Sequence, residues 1–412
     1  MTMNDSIQAI SAVDEIRRCN QGRKPELLRF KWDRMAENAF AFFRGTDHLF
    51  ASHWPLLRPA DPGPNVLLCG DLHLENFGAY RSTQGDFRYD INDFDEALVA
   101  PCSLDVVRCT ASILLAADVW NIPSVQASGI ALDFLSSYRD AIALAGETGS
   151  IGAVVLGQGS GPIWELLGET AVGVHRELLD RVTELNKHGQ RRIIRNEKRP
   201  EVGEKRQSLV REAVEAYGAS IGEPEAFRVL DITGRILGIG SLGLRRYAVL
   251  VAGGGTPDTN RLLDVKEAVA PVVLSCSDCE QPDTQGNQAI RIVRAQQQLQ
   301  SVPAAGLAAI KIDGGDYRLR EMIPDENRSK LDRLQKHADK VRIAMGVIGE
   351  LAAWSHLRGC GGRPGARTAL IAWAKQSLDP VLSSALRTAD VSSQDFQAFR
   401  RAYDDHQFDE PV

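Results

Sequence analysis

Apolar residues recur at helical spacing from Arg23 to Trp54 (Leu27, Leu28, Trp32, Met35, Phe40, Phe43 and Leu49), which predicts one helix with basic residues between them. A Pro/Gly/Asp loop, Arg58 to Pro64, then leads to the strand-length run Val66-Leu67-Leu68. That run delivers Asp71, His73, Glu75 and Asn76 in quick succession. The polar stretch Ala79 to Arg88, with Gly85, predicts a hairpin turn, so a second acidic cluster, Tyr89 to Glu96, should lie beside the first. Helices are expected over Ser103 to Val119 and Ser124 to Leu144, a linker turn over Ile151 to Pro162, and mostly helix over Glu165 to Tyr217. From Phe227 the alternation becomes that of strands: Phe227 to Ile232, Ile236 to Val251 and Arg261 to Ala268, joined by turns. A helix at Gln285 to Gln300 follows, then strands at Ala308 to Ile312 and Tyr317 to Met322 around Gly314-Gly315. Helices at Asn327 to Arg358 and Thr368 to Tyr403 complete the pattern.

This pattern divides the 412 residues into a helical part (1–225), a β-rich part (226–325) and a second helical part (326–412). Hydrophobic and charged contents of 43% and 25% are ordinary for a globular protein with a substantial core. A net charge of −6 argues against broad nucleic-acid binding and leaves room for a local basic patch. The start of the chain lacks the apolar core of a signal peptide, and no run reaches the ~18 apolar residues of a membrane span, so the chain reads as cytoplasmic with no membrane partner. Of seven cysteines only Cys276 and Cys279 form a Cys-x-x-Cys pair, and nothing completes it to a four-ligand zinc site. The basic run from Lys187 to Arg206 is interspersed with Glu197, Glu201 and Glu204, which predicts a salt-bridged segment.

The candidate chemistry lies in the two acidic clusters. Asp90, Asp93, Asp95 and Glu96 repel one another unless a cation or hydrogen-bond donors neutralise them, and Mg²⁺ is the divalent ion that travels with phosphates. Gly238-Ile-Gly240-Ser241-Leu-Gly243 matches Gly-x-Gly-x-x-Gly. A strand follows it instead of a helix, which favours a hairpin lying over nucleotide phosphates above a dinucleotide fingerprint. Downstream, Lys266 lies in a strand, where a phosphate-pairing lysine would be expected. Asp71 and Asn76 have the spacing of a catalytic Asp and metal-binding Asn, and Asp93-Phe94 that of a metal-binding Asp-Phe step.

Gly70 to Gly78, Asp90 to Ala97, Lys266-Glu-Ala and Phe42-Phe-Arg-Gly resemble the DUF2252 family of bacterial proteins from about Arg23 to Arg358. The same residues are similar to the Gly-Asp-x-His-x-x-Asn and Ile-Asp-Phe motifs of aminoglycoside and choline phosphotransferases. The resemblance implies an α+β, two-lobed protein-kinase-like fold. It implies ATP and Mg²⁺ as cofactors and a small-molecule acceptor. Asp71 would be the catalytic base, with His73 supporting its loop, and Asn76 and Asp93 would hold metal. Lys266 would pair with phosphates under a lid of Gly238, Gly240, Ser241 and Gly243. Asp105 and Arg108 would brace the catalytic loop, as the Asp-x-x-Arg of those enzymes does.

Two departures follow. The catalytic loop here precedes the Gly-rich segment and the lysine, so the fold is expected to be circularly permuted, the β lobe inserted between two parts of a helical lobe. The helix Gln285 to Gln300, where such kinases keep the lysine's glutamate partner, has no acidic residue. A glutamine, or Asp93 itself, is left as the partner, if it has one. Nucleotidyl transfer, or nucleotide binding without turnover, remains open on the same fold. A two-metal phosphoesterase is disfavoured because its additional His/Asp ligands are missing.

Overall fold

The computed structural model describes residues 11–171, 174–240, 242–272, 279–280, 282, 284–322, 331–376 and 378–409. Four helices open the chain: α1 (Ala12–Cys19), α2 (Pro25–Met35), α3 (Ala39–Gly45) and α4 (Asp47–Leu57). The single helix expected over Arg23 to Trp54 is therefore three. Asn38 accepts the Ala41 N–H at 2.8 Å and caps a new start, while the Thr46 hydroxyl bonds Phe42 O at 2.8 Å where α3 ends. These short polar side chains compete with the helical ladder.

Next come β1 (Asn65–Leu68), the turn Leu74–Asn76, β2 (Phe77–Arg81), β3 (Phe87–Ile91) and β4 (Leu98–Pro101). Strands β2 and β3 form the expected hairpin, Phe77 opposite Ile91, so the two acidic segments emerge at the same end. Strand β1 pairs with β4. Helix α5 (Ser103–Val119) has the expected bounds, and α6 runs over Ser124–Thr148. The linker then contributes a short strand, β5 (Val154–Val155), to β3.

The region read as mostly helical holds α7 (Pro162–Ala171), α8 (Val174–Val182), the hairpin β6 (Thr183–Leu185)–β7 (Arg191–Ile193), and α9 (Glu204–Ser220). Asn186 turns that hairpin, its Oδ1 accepting from His188 and Gln190 N–H groups. The basic run is salt-bridged as expected: Arg191 pairs with Asp180 at 2.7 Å, and Arg195 with Glu201 at 2.9 Å and with Asp231.

Strands β8 (Val229–Gly234), β9 (Arg246–Val251) and β10 (Arg261–Glu267), helix α10 (Gln288–Leu299), and strands β11 (Ala308–Ile312) and β12 (Gly315–Glu321) follow. They build an antiparallel sheet in the order β11-β12-β10-β9-β8. One face packs Val249, Val265 and Leu319 on Val210 and Val214 of α9; Ala248, Leu250 and Leu262 meet Leu178, Leu179 and Ile193 on the other. Of the elements covering this sheet, α8 and α9 thus come from before residue 225, while α10 packs on its β11–β12 side. Helices α11 (Ala338–Gly359), α12 (Ala366–Ala374) and α13 (Asp379–Asp404) finish the chain. The expected Thr368 to Tyr403 helix is divided, with Pro380 opening α13, where a missing N–H costs nothing. Residues 327–330 of the expected Asn327 to Arg358 helix, and Cys276, lie outside the described residues; Cys279 is half-buried.

The fold is thus α+β, with thirteen helices and small antiparallel sheets among the described residues. No described helix is long and apolar enough to cross a membrane. Its main core joins α5, α6 and α11 to β1 and β4 through residues such as Leu68, Leu104, Phe134, Ile348 and Leu351.

Candidate active site

Gly70 brings the two acidic segments together. Its φ is +88°, and an added Cβ would run into the carbonyl of Glu96, so the backbones touch where only glycine fits. Asp105, on the first turn of α5, accepts the N–H groups of Cys69 at 3.2 Å and Gly70 at 3.1 Å. Behind it, His356 of α11 lies 3.5 Å from Asp105 Oδ2 and 2.7 Å from the Tyr138 hydroxyl. The Asn76 side-chain N–H donates to the Asp71 carbonyl, and Asn92 N–H donates to Asn76 O at 2.7 Å. Both acidic segments are therefore fixed before any ligand arrives.

Arg108, fully buried, donates from Nε to Asp71 Oδ1 at 2.6 Å and lies 3.1 Å from Asp47 Oδ1. Its guanidinium stacks over Phe43 at 4.4 Å and Phe50 at 5.0 Å. With Oδ1 held, Asp71 Oδ2 lies 3.9 Å from His73 Nε2. His73 Nδ1 accepts the Glu75 N–H at 3.2 Å, which puts the ring proton on Nε2. Burial pushes the Asp71 carboxyl well above its usual range; Arg108 pulls it down and Asp47 pushes it further up. Burial likewise raises Asp47 and Glu96 to about 7 each.

The sheet approaches from the opposite side. Lys266, only 3% exposed, ion-pairs with Asp95. This corrects the expectation of a glutamine or Asp93 as its partner: the carboxylate comes from two positions past Asp93. Helix α10 plays another part. Its fully buried Arg291 donates to Asp95 O at 2.6 Å, Ala97 O at 2.7 Å and Val269 O at 2.9 Å, tying the second acidic segment to the chain after the lysine strand.

On the sheet face that carries Lys266, Asp264 is surrounded by arginines. Arg246 binds it through two bonds of 2.6 and 2.7 Å, Arg235 at 2.8 Å and Arg318 at 3.1 Å. Burial alone would raise Asp264, but these guanidiniums hold it well below the usual carboxylate range. The alternation of Arg246, Arg318 and Arg320 with apolar residues along the strands was a signal of this face that the motif search did not use.

Asp71, His73, Asn76, Asp93, Lys266, Gly238 and Gly240 line one cleft. Gly243 does not: it packs on the Arg23 side chain, outside the lining, and Ser241 lies outside the described residues. The strand expected over Ile236 to Val251 starts only at Arg246. The glycine-rich segment before it is a loop docked on the N-terminal helices, with Arg34 donating to Gly238 O at 2.7 Å, Arg23 to Leu242 O at 2.8 Å, and Ile239 buried beside Met35. Those helices form a wall of the cleft through Arg23, Lys31, Arg44, Asp47 and His48. From the sequence, the basic residues of this stretch, Lys31 and Arg44 among them, could reach an anion, with a solvated face favoured; the structure instead buries Lys31 in the cleft wall.

A family model described as "Uncharacterized protein conserved in bacteria (DUF2252)" matches residues 23–402. No curated protein and no solved structure matches the chain.

Proposed function

Since the chain belongs to the DUF2252 family, whose description assigns no activity, we propose from the cleft itself that it is an ATP- and Mg²⁺-dependent phosphotransferase acting on a hydroxyl of a small molecule. The fold in this reading is a protein-kinase-like pair of lobes in circularly permuted order. The observation that carries it is the Lys266–Asp95 ion pair: it joins the sheet to the acidic segments at the cleft that Asp71, Asn76 and Asp93 line.

The donor set suits the cofactors. Asn76 and Asp93 offer the oxygen ligands that Mg²⁺ prefers, and Asn76 spends its N–H on the Asp71 carbonyl, leaving its amide oxygen for a cation. When bound, Mg²⁺ would neutralise phosphate charge and align the γ-phosphorus. Lys266, released in part from Asp95, would pair with phosphate oxygens under the Gly238–Gly240 loop.

Asp71 Oδ2 takes the proton of the acceptor hydroxyl while Arg108 holds Oδ1, so the carboxylate cannot rotate away. The hydroxyl oxygen forms its bond to the γ-phosphorus as the bond to the β-phosphate bridging oxygen breaks, and ADP leaves. His73, through its Nε2–H, orients the accepting oxygen. Transfer of label from γ-labelled ATP to a hydroxyl panel tests this: Asp71→Asn should cost about 10²–10⁴-fold, and Asp93→Asn a comparable amount. Transfer that survives both substitutions together would remove the assignment, and release of pyrophosphate in place of ADP would change it to nucleotidyl transfer.

A further inference from the structure

The cleft wall opposite the sheet carries four basic groups, Arg23, Lys31, Arg44 and His48, contributed by the N-terminal helices and the turn before α2. Two of them are committed. Arg23 holds the carbonyls of Gly240 and Leu242 at 3.1 and 2.8 Å, and Arg44 pairs with Glu75 at 2.5 Å. The other two are not. Lys31, 2% exposed, gives its one side-chain hydrogen bond to the neutral Asn20 Oδ1 at 3.0 Å, and among the described residues no carboxylate lies within ion-pair distance of it. His48, 6% exposed, has its Nε2 buried with no hydrogen-bond partner.

We propose that Lys31 and His48 form an oxyanion subsite, which receives a carboxylate or phosphate group carried by the acceptor. An ammonium and an imidazole shielded from water without a counter-charge are costly, and an arriving anion offsets that cost where a neutral hydroxyl cannot. The surroundings agree. Burial, with the charges of Lys31, Arg23, Arg108 and Arg18, holds the His48 ring well below its usual range, although Asp47 lines the same cleft. Burial also pushes the Lys31 amine well below its usual range. A purely structural role for Lys31 is also available, since Asn20 bonds Ile16 O at 2.7 Å and closes α1. That role needs a hydrogen-bond donor, not a charge.

The subsite rests on the phosphotransferase reading only in calling its ligand an acceptor, so the test uses inorganic phosphate. Calorimetric titration of the full chain should show one phosphate site. Lys31→Met should weaken it at least tenfold, Lys31→Arg should keep most of it, and Lys311→Met, at an exposed lysine outside the cleft, should leave it unchanged. In the unmutated chain the ¹⁵N resonances of the His48 ring should move on adding phosphate. No binding to the unmutated chain, unchanged binding in Lys31→Met, an equal loss in Lys311→Met, or an unmoved His48 signal would each overturn the proposal. Mg²⁺·ATP binding measured in parallel reports on the phosphotransferase reading separately: its absence beside intact phosphate binding removes that reading and leaves the subsite.

Discussion

Arg108 holds two carboxylates, Asp71 at 2.6 Å and Asp47 at 3.1 Å, with its buried guanidinium packed on Phe43 and Phe50. Removing it leaves both acids buried and uncompensated, so Arg108→Met should destabilise the chain by about 3–5 kcal/mol in urea unfolding. Adding Asp47→Asn should recover part of that loss; full additivity would show that the two groups do not interact. Asp47 also sets a pH dependence. Its folded-state value of about 7 lies above the ordinary carboxylate value, so the folded chain keeps a proton that the unfolded chain releases. Stability from this group is therefore complete below about pH 4 and lost as pH rises towards 7. Asp47→Asn should flatten the decline between pH 5 and 8, and an unchanged slope would contradict the assignment. Asp71, Asn76, Asp93 and Lys266 were legible because their spacing encodes a local turn or strand position. The lysine's partner was not: Asp93 and Asp95 are the same residue type two positions apart, and the way two distant segments meet decides between them.

Elements with strong periodicity and local caps were read well, as Ser103–Val119 shows, whereas Asn38, Thr46 and Asn186 broke elements through side-chain hydrogen bonds that hydrophobic spacing does not register. The glycine-rich segment failed for a different reason. Its glycines fit a strand pattern, but Arg23 of the turn before α2 and Arg34 of α2, distant in sequence, hold its carbonyls. Helix α11 shows how closely elements must approach to carry the Asp71 loop. At Gly359 an added Cβ would meet the carbonyl of Leu67 in β1, the strand that leads into Asp71. Gly359→Ala should therefore cost about 2–4 kcal/mol by forcing the helix off the strand. A melting temperature within a degree of the unmutated chain would show that the contact gives way freely.

At the scale of the molecule, the order of motifs was legible and their convergence was expected only through the family resemblance, because nothing local states that Lys266 will reach Asp95. The first and last described helices pack together: Arg17 donates to Gln407 O at 2.5 Å, and Trp32 stacks near Phe408 at 5.1 Å. Neighbouring ends of this kind are what a permuted fold requires. Joining the last turn to α1 with a short linker and opening the chain at the exposed turn Gly222–Glu225 would give the motif order of a kinase, as the proposed permutation requires. That variant should fold, with its melting temperature within about 10 °C of the parent; a chain that does not fold would count against permutation. The central claim is a cleft that holds a triphosphate from both sides. A crystal structure of the full chain with Mg²⁺ and a non-hydrolysable ATP analogue tests it most directly. The account predicts phosphates between the Lys266 ammonium and the Asp93 carboxylate, with the metal on Asn76 and Asp93; a nucleotide bound elsewhere, or none at saturating concentration, would contradict it.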